Sequence, residues 1–118
     1  VGIHGEPGRA RIPMASADDL TDQLYDAIFA DAALTEGGNV IVLVNGMGAT
    51  PAYQLDIVFR RVAQRLDADG VNIARSLVGN YVTSLDMEGV SVTIAPVTER
   101  QLELWDAPVH TAALRKGC

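Results

Sequence analysis

Hydrophobic and polar positions divide the chain into alternating helical and extended blocks. Leu20, Leu24, Ala27 and Ile28 recur at the spacing of one helical face. Ser16 and Asp19 precede them as a helix-start pair in which Asp replaces the usual Glu or Gln. Gly37-Gly38 closes that block. Val40-Ile41-Val42-Leu43-Val44 is apolar on both faces and largely β-branched, the pattern of a central parallel strand. Leu55, Val58, Val62 and Leu66 form a second helical stripe that runs to Asp69-Gly70. Val71 to Gly79 reads as another strand, completing a βαβ unit. Val90-Ser91-Val92-Thr93-Ile94 alternates as a half-buried strand does, and Thr98 with Gln101 makes a capping box before Leu102 and Trp105. The stretch from Asp106 to Leu114 contains Pro108 and has no period, so irregular packing is expected there. The expected architecture is α/β: a mixed, largely parallel sheet covered by about three helices, in a single domain over residues 1–118.

The turn between the central strand and the second helix carries Gly46-Met47-Gly48-Ala49-Thr50-Pro51. Thr50 stands where an N-cap belongs and Pro51 where a first helical residue belongs. Backbone N–H groups at such a turn attract anions. The stretch nevertheless lacks the Lys-Ser/Thr ending of a nucleotide loop, and Pro51 occupies the place of the third glycine of a dinucleotide fingerprint. A structural strand-to-helix turn is the favoured reading.

Composition narrows the function classes. The chain has 48% hydrophobic and 20% charged residues, as ordinary globular domains do, and no apolar run approaches membrane-spanning length. A formal net charge of −6 without any basic cluster argues against a nucleic-acid surface. The single cysteine, Cys118, can form no intrachain disulfide, which fits a reducing cytoplasm. The chain opens on Val1-Gly2-Ile3-His4 without Met, as if within a strand, so a preceding segment is expected.

Candidate chemistry is sparse. His4 stands between a strand-like end and the loop Gly5-Glu6-Pro7-Gly8, where open α/β sheets commonly place ligands. A neutral imidazole there can act as a nucleophile or a base, although a histidine simply hydrogen-bonded within a loop has the same appearance. Glu6 beside His4 is too few ligands for a metal site, and none is expected. His110 and Trp105 read as structural, and Asp86 and Glu88 as solvated residues flanking a turn.

Four ordered stretches add a resemblance: Gly2-Ile3-His4-Gly5-Glu6-Pro7-Gly8, Leu43-Val44-Asn45-Gly46-Met47-Gly48-Ala49-Thr50-Pro51, Gly79-Asn80-Tyr81-Val82-Thr83-Ser84-Leu85-Asp86-Met87, and Leu104-Trp105-Asp106-Ala107-Pro108-Val109-His110-Thr111. Together they resemble the dihydroxyacetone kinase family, in the C-terminal part of its substrate-binding subunit or domain, usually called DhaK. The resemblance covers essentially the whole chain.

It implies that His4 is both the catalytic and the substrate-binding residue, attacking the ketone carbon of dihydroxyacetone to form a hemiaminal. Such a trap takes ketones and aldehydes but not glycerol, and it fixes the terminal hydroxyl for phosphoryl transfer. His4 must be unprotonated to attack, so binding weakens as pH falls through its pKa. The resemblance also implies that this chain binds no cofactor of its own. The phosphoryl donor, either ATP with magnesium or ADP rephosphorylated by a phosphotransferase system, comes from a nucleotide-binding kinase subunit or domain. It further implies a cytoplasmic homodimer. The family's acid–base Asp and His lie in a preceding half with no counterpart here, so this chain alone is not expected to be a competent kinase. Two variants belong to the same resemblance: an erythrulose kinase, and a sensor or co-activator that keeps the histidine without transferring phosphate.

Overall fold

The computed structural model describes Gly8 and residues 13–117. Its first helix, α1, spans Ala17–Asp31, followed by strand β1 (Asn39–Gly46), helix α2 (Ala52–Ala68), strands β2 (Asn72–Gly79) and β3 (Val90–Pro96), and helix α3 (Glu99–Asp106). Two short strands, β4 (Val109–His110) and β5 (Arg115–Lys116), close the chain. The main sheet has the order β2-β1-β3. Strand β1 pairs parallel with β2 and antiparallel with β3, so the sheet is mixed, with three helices around it as expected.

The apolar run of β1 takes the centre, with β2 and β3 on its two edges and α2 packed over one face. Val40, Val42 and Val44 point to one face and are almost fully buried. They meet Leu55, Val58, Val62 and Leu66 of α2, the four residues of the predicted stripe, and Ile94 of β3. Burying side chains of this size stabilises the fold by about 1.5–3 kcal/mol each. The opposite face carries Ile41 and Leu43, which line a groove with Thr93, Ala95 and Trp105. Helix α3 borders that groove, held at its start by the complete Thr98–Gln101 capping box.

Helix α1 departs from its predicted stripe by one position. Ser16 caps it through Asp19 N–H as expected, but its deepest residues are Thr21 and Tyr25. Both are amphipathic and bury without penalty because their hydroxyls are satisfied. Thr21 Oγ1 donates to the Ala17 carbonyl at 2.6 Å, and the Tyr25 hydroxyl donates to Asp69 Oδ2 at 2.7 Å. The Arg65 guanidinium lies 4.6 Å from the centre of the Tyr25 ring. The helix ends at Asp31 rather than at Gly37-Gly38; those glycines form a later turn, in which Gly37 N–H donates to the Gly70 carbonyl at 2.8 Å.

Charge pairs fasten α1 to α2. Asp22 accepts from Arg61 Nε and Nη2 at 2.8 and 2.7 Å and from Arg65 Nη1 at 3.0 Å. Arg65 also reaches Asp26 at 2.5 Å. Hydrogen bonds from Arg61 and then Arg65 hold the Asp22 carboxyl down at about 2, against an ordinary 3.8. The tail expected to be irregular instead folds back, with Val109 opposite Lys116 and His110 opposite Arg115.

Candidate functional site: two loops joined at the end of the parallel strands

Strands β1 and β2 run in the same direction, so residues 45–51 and 79–89 leave the sheet together at its C-terminal edge. That edge is where open α/β sheets hold ligands. Two of the four motif stretches therefore meet in space.

Asn45 starts the junction. A polar residue directly after the apolar run Val40–Val44 must be satisfied when buried, and Asn45 is only 2% exposed. Its Oδ1 accepts Tyr81 N–H at 2.8 Å and Val82 N–H at 2.9 Å, while Nδ2 donates to the Val82 carbonyl at 2.7 Å. Ser84 Oγ donates to the Met47 carbonyl at 2.5 Å. Met47 N–H donates to the Gly89 carbonyl, Met87 N–H to the Met47 carbonyl, and Ala49 N–H to the Met87 carbonyl.

These bonds decide the anion question. Met47, Ala49 and Gly48 all spend their N–H groups on the neighbouring loop, Gly48 donating to Asn80 Oδ1 at 3.3 Å. The glycine turn is thus a structural junction rather than a phosphate cradle. Gly48 is required there: its φ of 110° favours glycine, and a Cβ would lie 2.7 Å from the Ser84 carbonyl oxygen. A Cβ on Gly46 would collide with Asn80 Oδ1.

Thr50 plays a different part from the one predicted. The N-cap of α2 is Pro51, without a side-chain cap bond. Thr50 Oγ1 instead accepts Gly89 N–H and donates to the Gly89 carbonyl, both at 2.9 Å. The next loop offers this hydroxyl a paired donor and acceptor, which outweighs a single cap bond.

Beside the junction lies a cleft of about 650 Å³. Thr50, Pro51, Tyr53, Glu88 and Gly89 form one side of it, and Met14, Leu20 and Leu24 contribute from the start of the described chain and from α1. It is mainly apolar with a few polar groups at its rim, the make-up of a small-molecule site.

The remaining candidates fall elsewhere. His4 and Glu6, with the first motif stretch, lie outside the described residues, as does Cys118. Trp105 is half-buried in the groove on the other sheet face, with Lys116 Nζ 5.2 Å from its ring centre and bonded to its carbonyl. Asp106 accepts Arg75 Nε and Nη2 at 2.8 and 2.5 Å, a bidentate pair that depresses its carboxyl below the usual range. His110 is exposed on β4. The Trp105–His110 stretch thus braces α3 and β2 and does not join the two-loop junction. Asp86 and Glu88 are exposed, as read from the sequence. Among the described residues no group of three or more His, Cys, Asp or Glu side chains is placed to hold a metal ion.

Residues 1–113 match the Dak1 domain. The chain belongs to the Dak1 domain family. Among curated relatives, the PEP-dependent dihydroxyacetone kinase, dihydroxyacetone-binding subunit DhaK of Escherichia coli (strain K12) is 40% identical, across 99% of this chain and 40% of its own length. L-erythrulose 1-kinase of Mycolicibacterium smegmatis is 39% identical, across 99% of this chain and 21% of its own. Among solved structures, the dihydroxyacetone kinase operon co-activator Dha-DhaQ superposes with a TM-score of 0.80 at 30% identity, over 92% of this chain and 34% of that one. This Dak1 chain therefore spans two-fifths or less of the length of these proteins. No described helix is long and apolar enough to cross a membrane.

Proposed function

We propose that this chain forms the ketone-holding part of a dihydroxyacetone kinase subunit, and that His4 holds dihydroxyacetone covalently. The observation that carries the reading is the match of residues 1–113 to the Dak1 domain, together with 40% identity to a dihydroxyacetone-binding subunit across nearly the whole chain. In this reading a ring nitrogen of His4 bonds to the ketone carbon, the carbonyl oxygen becomes a hydroxyl, and the imidazole gives up its remaining proton. The tethered substrate then presents a terminal hydroxyl to a phosphoryl donor carried by a separate nucleotide-binding subunit or domain. Positioning is most of what such a transfer asks of this component. The subunit works as a cytoplasmic homodimer.

Calorimetry with the full-length subunit carrying this sequence tests the substrate class. Dihydroxyacetone and erythrulose should bind and glycerol should not, because only the first two offer a carbonyl. Equal binding of glycerol would remove the covalent reading.

A second reading is a sensor or co-activator, favoured by the superposition on the Dha-DhaQ co-activator. A full-length subunit that retains the ketone yet transfers no phosphate with any donor component would select it.

A further inference from the structure

We propose that Asn45-Gly46 is a modification site, a deamidation site that the two-loop junction keeps shut and that reacts once the junction opens. It is independent of the ketone-binding reading, since it concerns only groups buried within this chain.

Of the four asparagines, Asn45 alone precedes a glycine; Asn39, Asn72 and Asn80 precede Val, Ile and Tyr. Deamidation begins when the following backbone nitrogen attacks the side-chain amide carbon. A glycine, without a Cβ, leaves that nitrogen unobstructed and its backbone free to turn. Here the Gly46 nitrogen bonds to Asn45 Cγ and gives up its proton, ammonia leaves, and a succinimide ring forms. Water then opens the ring at either carbonyl, giving aspartate or its β-linked isomer, isoaspartate. No oxidant or reductant takes part.

The folded chain blocks each stage. Ring closure turns Asn45 away from the extended ψ of a strand, whereas Asn45 and Gly46 are held in β1 opposite Ser91 and Val90. The side-chain amide cannot swing toward the Gly46 nitrogen while Oδ1 accepts from Tyr81 and Val82 N–H and Nδ2 donates to the Val82 carbonyl. With Asn45 only 2% exposed, water has little access to it. All three side-chain bonds go to the 80–89 loop, which Ser84 and Thr50 tie down at Met47 and Gly89. Release of that loop is therefore what frees the amide.

The change runs one way. A carboxylate at position 45 still accepts from Tyr81 and Val82, but it sets an oxygen against the Val82 carbonyl in place of a donor, at a buried position. Isoaspartate adds a main-chain atom to β1 and moves Gly46 out of register with Val90. Either product prevents the junction from closing again as before.

The test ages the full-length subunit carrying this sequence at mildly alkaline pH, in buffer and in urea sufficient to unfold it. Peptide mapping by mass spectrometry reads asparagine, aspartate and isoaspartate at position 45, with Asn80 as the internal reference. Unfolded, Asn45 should convert faster than Asn80; folded, it should convert at least roughly tenfold more slowly than unfolded, because reaction waits on local opening. Ser84→Ala and Thr50→Val, each shown to be folded by its melting curve, should speed conversion in buffer by several-fold. Equal rates folded and unfolded, or an unfolded Asn45 no faster than Asn80, overturns the proposal. No acceleration in either variant assigns the protection to strand pairing and removes the junction as the gate. Asn45→Asp should melt below the wild type, and an equal melting temperature contradicts one-way closure.

Discussion

Asn45 Oδ1 accepts the backbone N–H groups of both Tyr81 and Val82, so one buried amide fixes the path of a loop that begins more than thirty residues later. The relationship explains why a polar residue follows the apolar run Val40–Val44 of β1. Asn45→Ala leaves two N–H groups and a carbonyl without their partner. At about 1–3 kcal/mol for each buried group left unmade, relieved in part by water, a net loss of about 3 kcal/mol in unfolding free energy is expected. Chemical denaturation measures it, and faster amide exchange at residues 81 and 82 should accompany it. A loss below about 0.5 kcal/mol, the scatter of ordinary surface changes, contradicts the role given to Asn45.

Thr50 acts as a latch between loops and not as a helix cap. Thr50→Val keeps the shape and removes both bonds to Gly89, which should cost about 1–2 kcal/mol and open Gly89 N–H to exchange. Thr50→Ser should restore most of the protection. If protection is lost instead within the first turn of α2, the capping reading returns.

The clamp between α1 and α2 sets an acid limit. Asp22 has its pKa lowered in the folded state, so its contribution is complete above the ordinary 3.8 and is lost as pH falls toward about 2. Stability should therefore fall across that window in the wild type, and less steeply in Asp22→Asn. Thermal melts at a series of pH values read the difference; parallel curves for the two proteins would show that the Arg61 and Arg65 bonds add nothing in solution.

The stripe of α2 is the main cover of the sheet. Leu66→Ala, at a fully buried position against β1, should cost about 2–5 kcal/mol without changing the secondary structure. Leu104→Ala, on the exposed side of α3, should stay within about 0.5 kcal/mol. Denaturant melts of the two variants provide the comparison.

Periodicity made the fold legible where burial follows hydrophobicity. Val40 to Val44, Leu55 to Leu66 and the Thr98–Gln101 box occupy the expected elements. It misled where polar residues are buried with partners distant in sequence: Thr21 and Tyr25 displaced the expected face of α1, since Asp69 lies far from Tyr25 along the chain. The site was legible as motifs but not as a mechanism of assembly. Asn45, Thr50 and Ser84 appeared in the quoted stretches, yet nothing local says that each bonds across to the other loop. The one available signal was Asn45 itself, an amide directly after an apolar run, whose burial demands a partner.

The most direct measurement is the intact mass of the full-length subunit after exposure to dihydroxyacetone and rapid desalting without reductant, wild type beside His4→Ala. The account predicts a gain of one dihydroxyacetone in the wild type and none in the variant, with both proteins folded. An equal gain in both, or no gain in either under conditions where calorimetry detects binding, contradicts the covalent role of His4.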